Sequence, residues 1–345
     1  MELALYSPGL GYYSAGSRKF GADGDFVTAP ELSSLFGRCL GRQVAELLEQ
    51  GLSDVLEIGA GSGALAADVL RELAACDRLP ERYLILEVSA ELRERQQATI
   101  AERAAEHVDR VQWLEVLPAR LHAVVLANEV LDAIPTHLVQ IRDGVVHEVG
   151  VTTGDGPRFS WSLRRAEDEV LAAAQALALP EGYRTEVNIA ARGFVASFAR
   201  LLERGVLLFV DYGYPARDFY HPIRAQGTLM CHYRHHAHGD PFVLVGLQDI
   251  TAHVDFTAVA HAAVGAGLDV LCYTTQANFL VNCGITDLIA GVPATDVHAY
   301  APLASQAQQL LSPTDMGERF KVIALGRGID EPLRGCAHGD KTHLL

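Results

Sequence analysis

The residues most able to bind a small ligand are three glycines at alternate positions, Gly59, Gly61 and Gly63. A short apolar run over residues 54–58 precedes them, and an apolar pattern with helical spacing follows from residue 64. This pattern predicts a strand, a tight loop and a helix. Because glycine has no Cβ, a ligand can lie directly against the backbone of such a loop. We therefore expect a nucleotide-type binding site here.

The spacing of the glycines favours a ligand without phosphate. A dinucleotide loop reads G-x-G-x-x-G and binds pyrophosphate at a helix N-terminus, whereas this loop reads G-x-G-x-G and follows Glu57. S-adenosylmethionine (SAM) suits it, because its cationic sulfonium and ammonium groups favour a nearby carboxylate. Glu87 ends the next apolar run and could accept hydrogen bonds from both ribose hydroxyls, but NAD sites use the same acid. The alternative is a purely structural glycine turn with a solvated Glu87. The predicted cofactor site comprises Glu57, Gly59, Ala60, Gly61, Gly63, Glu87 and Asn128.

A second polar group follows the apolar run over residues 122–127. It contains Asn128, Glu129 and Asp132, which we expect at the carboxyl edge of the sheet, where open α/β sheets bind ligands. Two carboxylates three residues apart in a turn can converge on one cation. We predict that these three residues are catalytic. The alternative is a helix N-cap beside a solvated acid.

Two further segments are candidates for covering the ligand or contacting a substrate. An acidic glycine loop over residues 21–31 precedes the first long helix, for which Thr28 or Ser33 could be the N-cap. A buried run over residues 205–210 ends in another acid. The loop could instead only shield the sheet. The predicted lid and substrate residues are Asp25, Thr28, Pro30, Glu31, Asp211 and Tyr212.

Composition limits the possible partners. The 345 residues are 49% hydrophobic and 21% charged, which is ordinary for a soluble globular protein with a sizeable core. The net charge of -15 argues against nucleic acid or an anionic membrane as the main partner and suits a basic protein segment. No apolar run approaches the roughly 18 residues that span a bilayer, so we expect no membrane insertion. The oligomeric state is left open.

The cysteines and histidines predict neither disulfides nor a metal site. The six cysteines show no C-x-x-C spacing, so we expect free thiols and a cytoplasmic location. Four histidines between residues 227 and 242 lie near Cys231, but their spacing does not match zinc-ligand pairs. We expect a loop there without a metal. The four are His232, His235, His236 and His238.

These elements together predict an α/β fold with a mostly parallel, doubly wound Rossmann-like sheet. An Asp143-Gly144 turn predicts a hairpin, and residues 165–203 read as helical with a break at 180–182. The predicted organisation is an N-terminal cap and lid loop (1–50), a first sheet half (51–135), an inserted hairpin and helical region (136–204), a second sheet half (205–326) and a polar, mobile tail (327–345).

Several stretches together resemble the MidA family, which is related to the mitochondrial complex I assembly methyltransferases. The matching stretches are residues 24–26 with Thr28, Pro30 and Glu31, then 57–63, 87–89, 128–129 with Asp132 and Pro135, 211–213, 249–256 and 316–320. The resemblance implies a class I SAM-dependent methyltransferase fold and methyl transfer, with protein arginine as the acceptor of mitochondrial relatives. It also implies that Gly59, Gly61 and Glu87 bind the cofactor and that Asn128 and Glu129 face the acceptor.

Two features depart from this family. Residues 1–6 resemble the middle of a longer N-terminal element, and Ala29 stands where many members have serine.

Three functions are compatible with the sequence. The first is a SAM-dependent methyltransferase acting on nitrogen, plausibly a protein arginine, whose guanidinium stays protonated with a pKa above about 12. Glu129 and Asp132 would then orient its planar fork. The second is an assembly or binding factor that uses a methyltransferase fold without catalysis. The third, an NAD-dependent oxidoreductase, is disfavoured by the glycine spacing.

Overall fold

The structure is a computed structural model that describes residues 1–14, 27–154, 156 and 158–345, so the predicted lid residue Asp25 lies outside the described residues. The helices are α1 (Glu2–Tyr6), α2 (Ala29–Leu32), α3 (Ser34–Glu49), α4 (Ala64–Ala75), α5 (Ala90–Arg103), α6 (Asp168–Ala176), α7 (Ile189–Leu201), α8 (Ala216–Phe219), α9 (Phe256–Gly265), α10 (Gln276–Asn282), α11 (Ile285–Ala290) and α12 (Val297–Leu311). The strands are β1 (Asp54–Ile58), β2 (Arg82–Leu86), β3 (Val111–Leu114), β4 (Leu121–Asn128), β5 (His137–Arg142), β6 (Val145–Thr152), β7 (Ser160–Arg165), β8 (Arg184–Val187), β9 (Leu202–Tyr214), β10 (Met230–Tyr233), β11 (His236–His238), β12 (Asp249–Thr251), β13 (Val254–Asp255), β14 (Asp269–Thr275) and β15 (Phe320–Arg327).

The central sheet has the order β14-β15-β9-β4-β1-β2-β3, and β13 adds to the end of β9. The strands from β9 to β3 are parallel, whereas β15 is antiparallel to both β9 and β14. The strand order reverses beside β1, because β2 lies on one side of it and β4 on the other. Ligands of open α/β sheets bind at such a switch point. The predicted mostly parallel Rossmann-like sheet is confirmed.

Helices cover both faces of this sheet, which explains why its strands read as continuous apolar runs. Val55 and Val124 face a core shared with α3 and α4, whereas Leu56 and Val125 face a second core shared with α7 and α9. Of the two predicted N-caps, Ser33 begins α3, and its hydroxyl accepts a hydrogen bond from the Leu35 N–H at 3.3 Å. The sheet is therefore doubly wound.

The inserted region forms a second, antiparallel sheet with the order β7-β6-β5-β8. The predicted hairpin is present, with positive φ at Asp143 (53°) and Gly144 (69°). The expectation of helix over 165–203 is wrong in part, because residues 184–187 form β8 and pair with β5. A four-residue strand between two Ala/Leu-rich helices is too short to produce a period-2 signal of its own.

The histidine-containing segment is a hairpin, not the predicted loop. Strands β10 and β11 pair antiparallel, and Arg234 and His235 have positive φ in the turn between them. Within the described ranges, no group of three or more His, Cys, Asp or Glu side chains is arranged to bind a metal ion. A separate search of the same residues finds no helix with the length and apolar character needed to cross a membrane.

The C-terminal tail is packed, so the prediction that it is mobile is wrong. The Lys341 N–H donates to the Tyr273 carbonyl at 2.6 Å, and the Asp340 carboxylate accepts a hydrogen bond from the Tyr273 N–H. A disulfide joins Cys272 on β14 to Cys336, so the prediction of free thiols is wrong for these two cysteines, whereas Cys39, Cys76, Cys231 and Cys283 are free. The two cysteines are 64 residues apart and come together only when the tail packs on the sheet edge, so their spacing gave no signal.

Reduction of this disulfide is expected to lower the free energy of unfolding by about 2–4 kcal/mol, because it releases a long closed loop in the unfolded chain. Urea denaturation with and without dithiothreitol measures this difference. Cys336→Ser should reproduce the loss without reductant, whereas Cys76→Ser, at an exposed free thiol, should not. An identical unfolding midpoint in both conditions would contradict the expectation.

Candidate functional site

The glycine loop joins β1 to α4, as predicted, and its glycines differ in what surrounds them. All three have positive φ: 68° at Gly59, 52° at Gly61 and 86° at Gly63. A Cβ on Gly63 would lie 3.0 Å from the Cα of Gln96, whereas a Cβ on Gly61 would meet no described residue within 4 Å. Gly63 therefore permits close packing against α5, and Gly61 presents bare backbone to open space.

A cleft of about 1090 Å³ opens at the carboxyl ends of β1, β2 and β4. It brings together most of the predicted site residues, which come from five separate stretches of chain. Gly63 and Asp211 are absent from its lining. The predicted residues that line it are Thr28, Pro30, Glu31, Glu57, Gly59, Ala60, Gly61, Glu87, Asn128, Glu129, Asp132 and Tyr212.

Gln96 connects the carboxylate at the end of β2 to the glycine loop. Its amide nitrogen donates to Glu87 at 3.1 Å and to the Gly61 carbonyl at 3.2 Å, and its oxygen accepts a hydrogen bond from the Trp113 indole. The Ser89 N–H donates to the other Glu87 oxygen at 2.8 Å. Sequence reasoning missed Gln96. The available signal was a polar residue four positions before Ile100, on the buried side of an otherwise polar helix.

Glu57 is buried at the floor of the cleft. The Tyr83 hydroxyl donates to it at 2.6 Å, and burial raises the pKa of its carboxyl to about 7. On the other side of the glycine loop, the Ser62 hydroxyl donates to Glu31 of α2 and accepts a hydrogen bond from the Ala64 N–H. The short helix α2 is thus joined directly to the loop.

The acidic turn after β4 is held from below by Asp211. One Asp211 oxygen accepts hydrogen bonds from the N–H groups of Val130, Leu131 and Asp132 at 3.2, 2.9 and 3.3 Å. The other accepts one from the Tyr212 N–H at 2.9 Å. Burial, together with the charges of nearby acids, raises the pKa of Asp211, and these N–H groups oppose the increase. The geometry makes Asp211 a positioning residue for the turn, although we had predicted a substrate contact.

Asp132 is buried in this turn, and Glu129 is half-buried. Burial, and then the charge of Asp132, raises the pKa of Glu129 to about 8, although the Asn128 amide donates to it at 3.0 Å. Burial raises the pKa of Asp132 to about 6, against the effect of a hydrogen bond from the Tyr212 hydroxyl. Glu129 also has a left-handed backbone, with φ of 52°. Hydrogen bonds therefore offset only part of the cost of placing these two charged acids in the turn.

The polar atoms of the cleft fit a cationic nucleoside better than a pyrophosphate. Within the described part of the chain, Asn128 Oδ1 and Asp132 Oδ1 are buried acceptors without a hydrogen-bond partner. Of the lining residues in the described part of the chain, only Arg319 is an arginine or lysine. Open acceptors and scarce basic groups suit hydroxyl and cationic donors. The glycine loop, Glu87 and Glu57 would hold SAM.

The cleft also contains residues for which sequence reasoning gave no role. Tyr6 and Tyr13 of the N-terminal segment line it, and so does Asp249 of β12. The Tyr13 hydroxyl donates to Asp249 at 2.9 Å. Residues more than 200 positions apart in sequence meet here only because the fold brings them together, so no local pattern could have shown the contact.

The sheet order, the glycine loop with its terminal carboxylate and the acidic turn define a class I methyltransferase. A family model of S-adenosyl-L-methionine-dependent methyltransferases matches residues 39–274, and the chain belongs to this family. SAM is therefore its cofactor, and the resemblance to the MidA family is confirmed.

Individual relatives cover nearly the whole chain. A COG1565 superfamily protein from Burkholderia thailandensis, solved with bound S-adenosyl-homocysteine, is 50% identical and has a TM-score of 0.97; the match covers 100% of this chain and 90% of that one. The mitochondrial protein arginine methyltransferase NDUFAF7 of Mus musculus is 31% identical, covering 94% of this chain and 79% of the relative. Its homologue in Drosophila melanogaster is 29% identical, covering 100% and 83%.

The prediction of a cytoplasmic location is contradicted. The matching curated proteins from Mus musculus, Danio rerio and Drosophila melanogaster are mitochondrial, which points away from the cytoplasm. The prediction rested on cysteine spacing, and the Cys272–Cys336 disulfide removes that support as well.

Proposed function

We propose that this methyltransferase transfers its methyl group to a guanidinium nitrogen of a protein arginine. The observation that carries the proposal is the pair of carboxylates, the half-buried Glu129 and the buried Asp132, which line the cleft from one turn. Relatives named protein arginine methyltransferases support it. A chain with a net charge of -15 also suits a basic protein segment as substrate.

The two carboxylates provide what a guanidinium acceptor needs. Its planar fork presents five N–H donors, and carboxylates bind such a fork with bidentate geometry. Asp132 Oδ1, which has no partner, would accept one of these bonds, and Glu129 would accept others. Fixing the fork in this way directs one nitrogen at the cofactor and holds the positive charge on the other two.

The cofactor supplies a methyl group already activated by the adjacent sulfonium. The reaction therefore needs no nucleophilic side chain, but it releases one proton from the methylated nitrogen. Glu129, with a pKa of about 8, is suited to take this proton at slightly alkaline pH, where it is ionised. Asn128 would keep its carboxylate oriented through the hydrogen bond that it donates.

A transfer assay tests the proposal. The purified chain is incubated with radiolabelled SAM and a protein extract, and the labelled proteins are hydrolysed to amino acids. We expect label in methylarginine. Label confined to another amino acid would show that this amino acid, and not arginine, is the acceptor. Binding of SAM without any transfer would favour a non-catalytic assembly factor.

Glu87→Ala is expected to weaken SAM binding by about 1.5–3 kcal/mol, because a buried charged hydrogen-bond acceptor at the nucleoside end of the cleft is lost. Calorimetric titration measures the change in Kd. Glu94→Ala, an exposed acid on α5, is the matched control and should bind SAM like the wild type. Titration with NAD should give no binding to either protein. Unchanged SAM affinity in Glu87→Ala would show that Glu87 does not contribute to SAM binding.

A further inference from the structure

The segment formed by residues 1–14 packs as a wall of the cleft. The N–H groups of Tyr12 and Tyr13 donate to the carbonyls of Ala4 and Leu5 at 2.9 and 2.8 Å, so the chain folds back after α1. Tyr12 and Leu5 are buried in a small core with residues of β10 and β12. This packing leaves Tyr6 and Tyr13 lining the cleft.

The rings of Tyr6 and Tyr13 are fixed against the acid-bearing segments. They stack on each other with centroids 5.5 Å apart and an interplanar angle of 23°. The Tyr6 hydroxyl donates to the carbonyl of Ala133, directly after Asp132, at 2.9 Å. The Tyr13 hydroxyl donates to Asp249 at 2.9 Å. Each ring is therefore held at both its face and its hydroxyl.

Asp249 holds Tyr13 from the floor of the same cleft. Its side chain is 2% exposed, and the oxygen that binds Tyr13 also accepts the N–H of Ile250 at 2.9 Å. Its charge contributes to the raised pKa values of Glu129 and Tyr6, which agrees with a position close to both. Asp132, 5% exposed, directly precedes Ala133, and its Oδ1 has no hydrogen-bond partner among the described residues. Two aromatic rings and an open acceptor thus line the cleft together.

We propose that Tyr6 and Tyr13 form the acceptor subsite, with Asp249 as a positioning residue that acts through Tyr13, and that this subsite selects a planar guanidinium over a lysine ammonium. The inference rests on the proposed function. A guanidinium stacks flat on an aromatic ring while its edge donates to carboxylates. A lysine ammonium is a hydrated point charge without a flat face, so it gains less from the same wall.

The test compares variants in the transfer assay with radiolabelled SAM and a protein extract. Tyr13→Ala should raise the extract concentration needed for half-maximal methylarginine formation about tenfold, an effect between those of an exposed and a fully desolvated cation–π contact. The Kd for SAM should stay unchanged, and the wild type should give methylarginine with methyllysine at background. Tyr300→Ala, on α12 outside the cleft lining, is the matched control.

Two further variants separate contact from folding. Tyr13→Phe keeps the ring and removes only its anchor, so it should fold normally and raise the half-maximal concentration about threefold. Asp249→Ala should have at least the same effect, and adding Tyr13→Phe to it should change nothing more, because both remove one hydrogen bond.

The outcomes of this test are distinct. If the wild type forms no methylarginine, the proposed function fails and this inference fails with it. If the wild type forms methylarginine and Tyr13→Ala matches it at every extract concentration, the proposed function stands and the acceptor subsite is wrong. Fully additive effects of Tyr13→Phe and Asp249→Ala would remove Asp249 as the positioning residue.

Discussion

Glu129→Gln is expected to reduce methyl transfer by at least about 100-fold while leaving the Kd for SAM unchanged. Glutamine keeps the shape of the side chain but lacks the charge that orients a guanidinium and the basicity that takes a proton, each a contribution of about 10²-fold or more. Initial rates at saturating SAM, with calorimetry on the same preparation, measure both quantities. Glu115→Gln, at an exposed acid, serves as the control. A rate within threefold of the wild type would exclude Glu129 from catalysis.

The same substitution should make the protein more stable at alkaline pH. Folding raises the Glu129 pKa from its ordinary 4.5 to about 8, so the folded state binds the proton more tightly. This contribution is fully present below pH 4.5 and is lost as the pH rises towards 8. Glutamine does not ionise, so the variant keeps its stability as the pH rises. Thermal unfolding should therefore show equal stability near pH 4.5 and a more stable variant, by roughly 1–3 kcal/mol, at pH 8. A less stable variant at pH 8 would contradict the burial of an ionising Glu129.

The second large effect is expected at Asp211. Asp211→Ala should lower the free energy of unfolding by about 3–5 kcal/mol, because four backbone N–H groups lose their acceptor in a buried site. Methyl transfer should also fall, since the turn that carries Glu129 and Asp132 is no longer held. Urea denaturation measures the stability, with Asp218→Ala as an exposed control. A loss below about 1 kcal/mol would show that other contacts hold the turn.

Local sequence patterns predicted the parts of the site that lie on single elements. The glycine loop between β1 and α4 follows from an apolar run, alternate glycines and a helical period, all within about twenty residues. The acidic turn follows from polar residues placed directly after a buried strand. Both signals are local, because the residues that identify each element also form it.

Interactions between distant segments were beyond such reasoning. The role of Asp211 beneath the acidic turn depends on β9 lying beside β4, which only the sheet order determines. The Tyr13–Asp249 hydrogen bond and the Cys272–Cys336 disulfide likewise join segments that are separate in sequence. Gln96 is an intermediate case, since its place on a helix was predictable but its partners were not.

The two ends of the cleft have different origins along the chain, and this has a consequence for engineering. Apart from Asn128, the residues that would hold the cofactor come from one continuous stretch, 57–96, whereas those facing the acceptor come from residues 6–13, 129–133, 212 and 249. Exchanging the second set between relatives could redirect the enzyme to new acceptors while its donor site is inherited intact. A library of variants confined to those short segments would test different acceptor specificities without changing the SAM-binding residues.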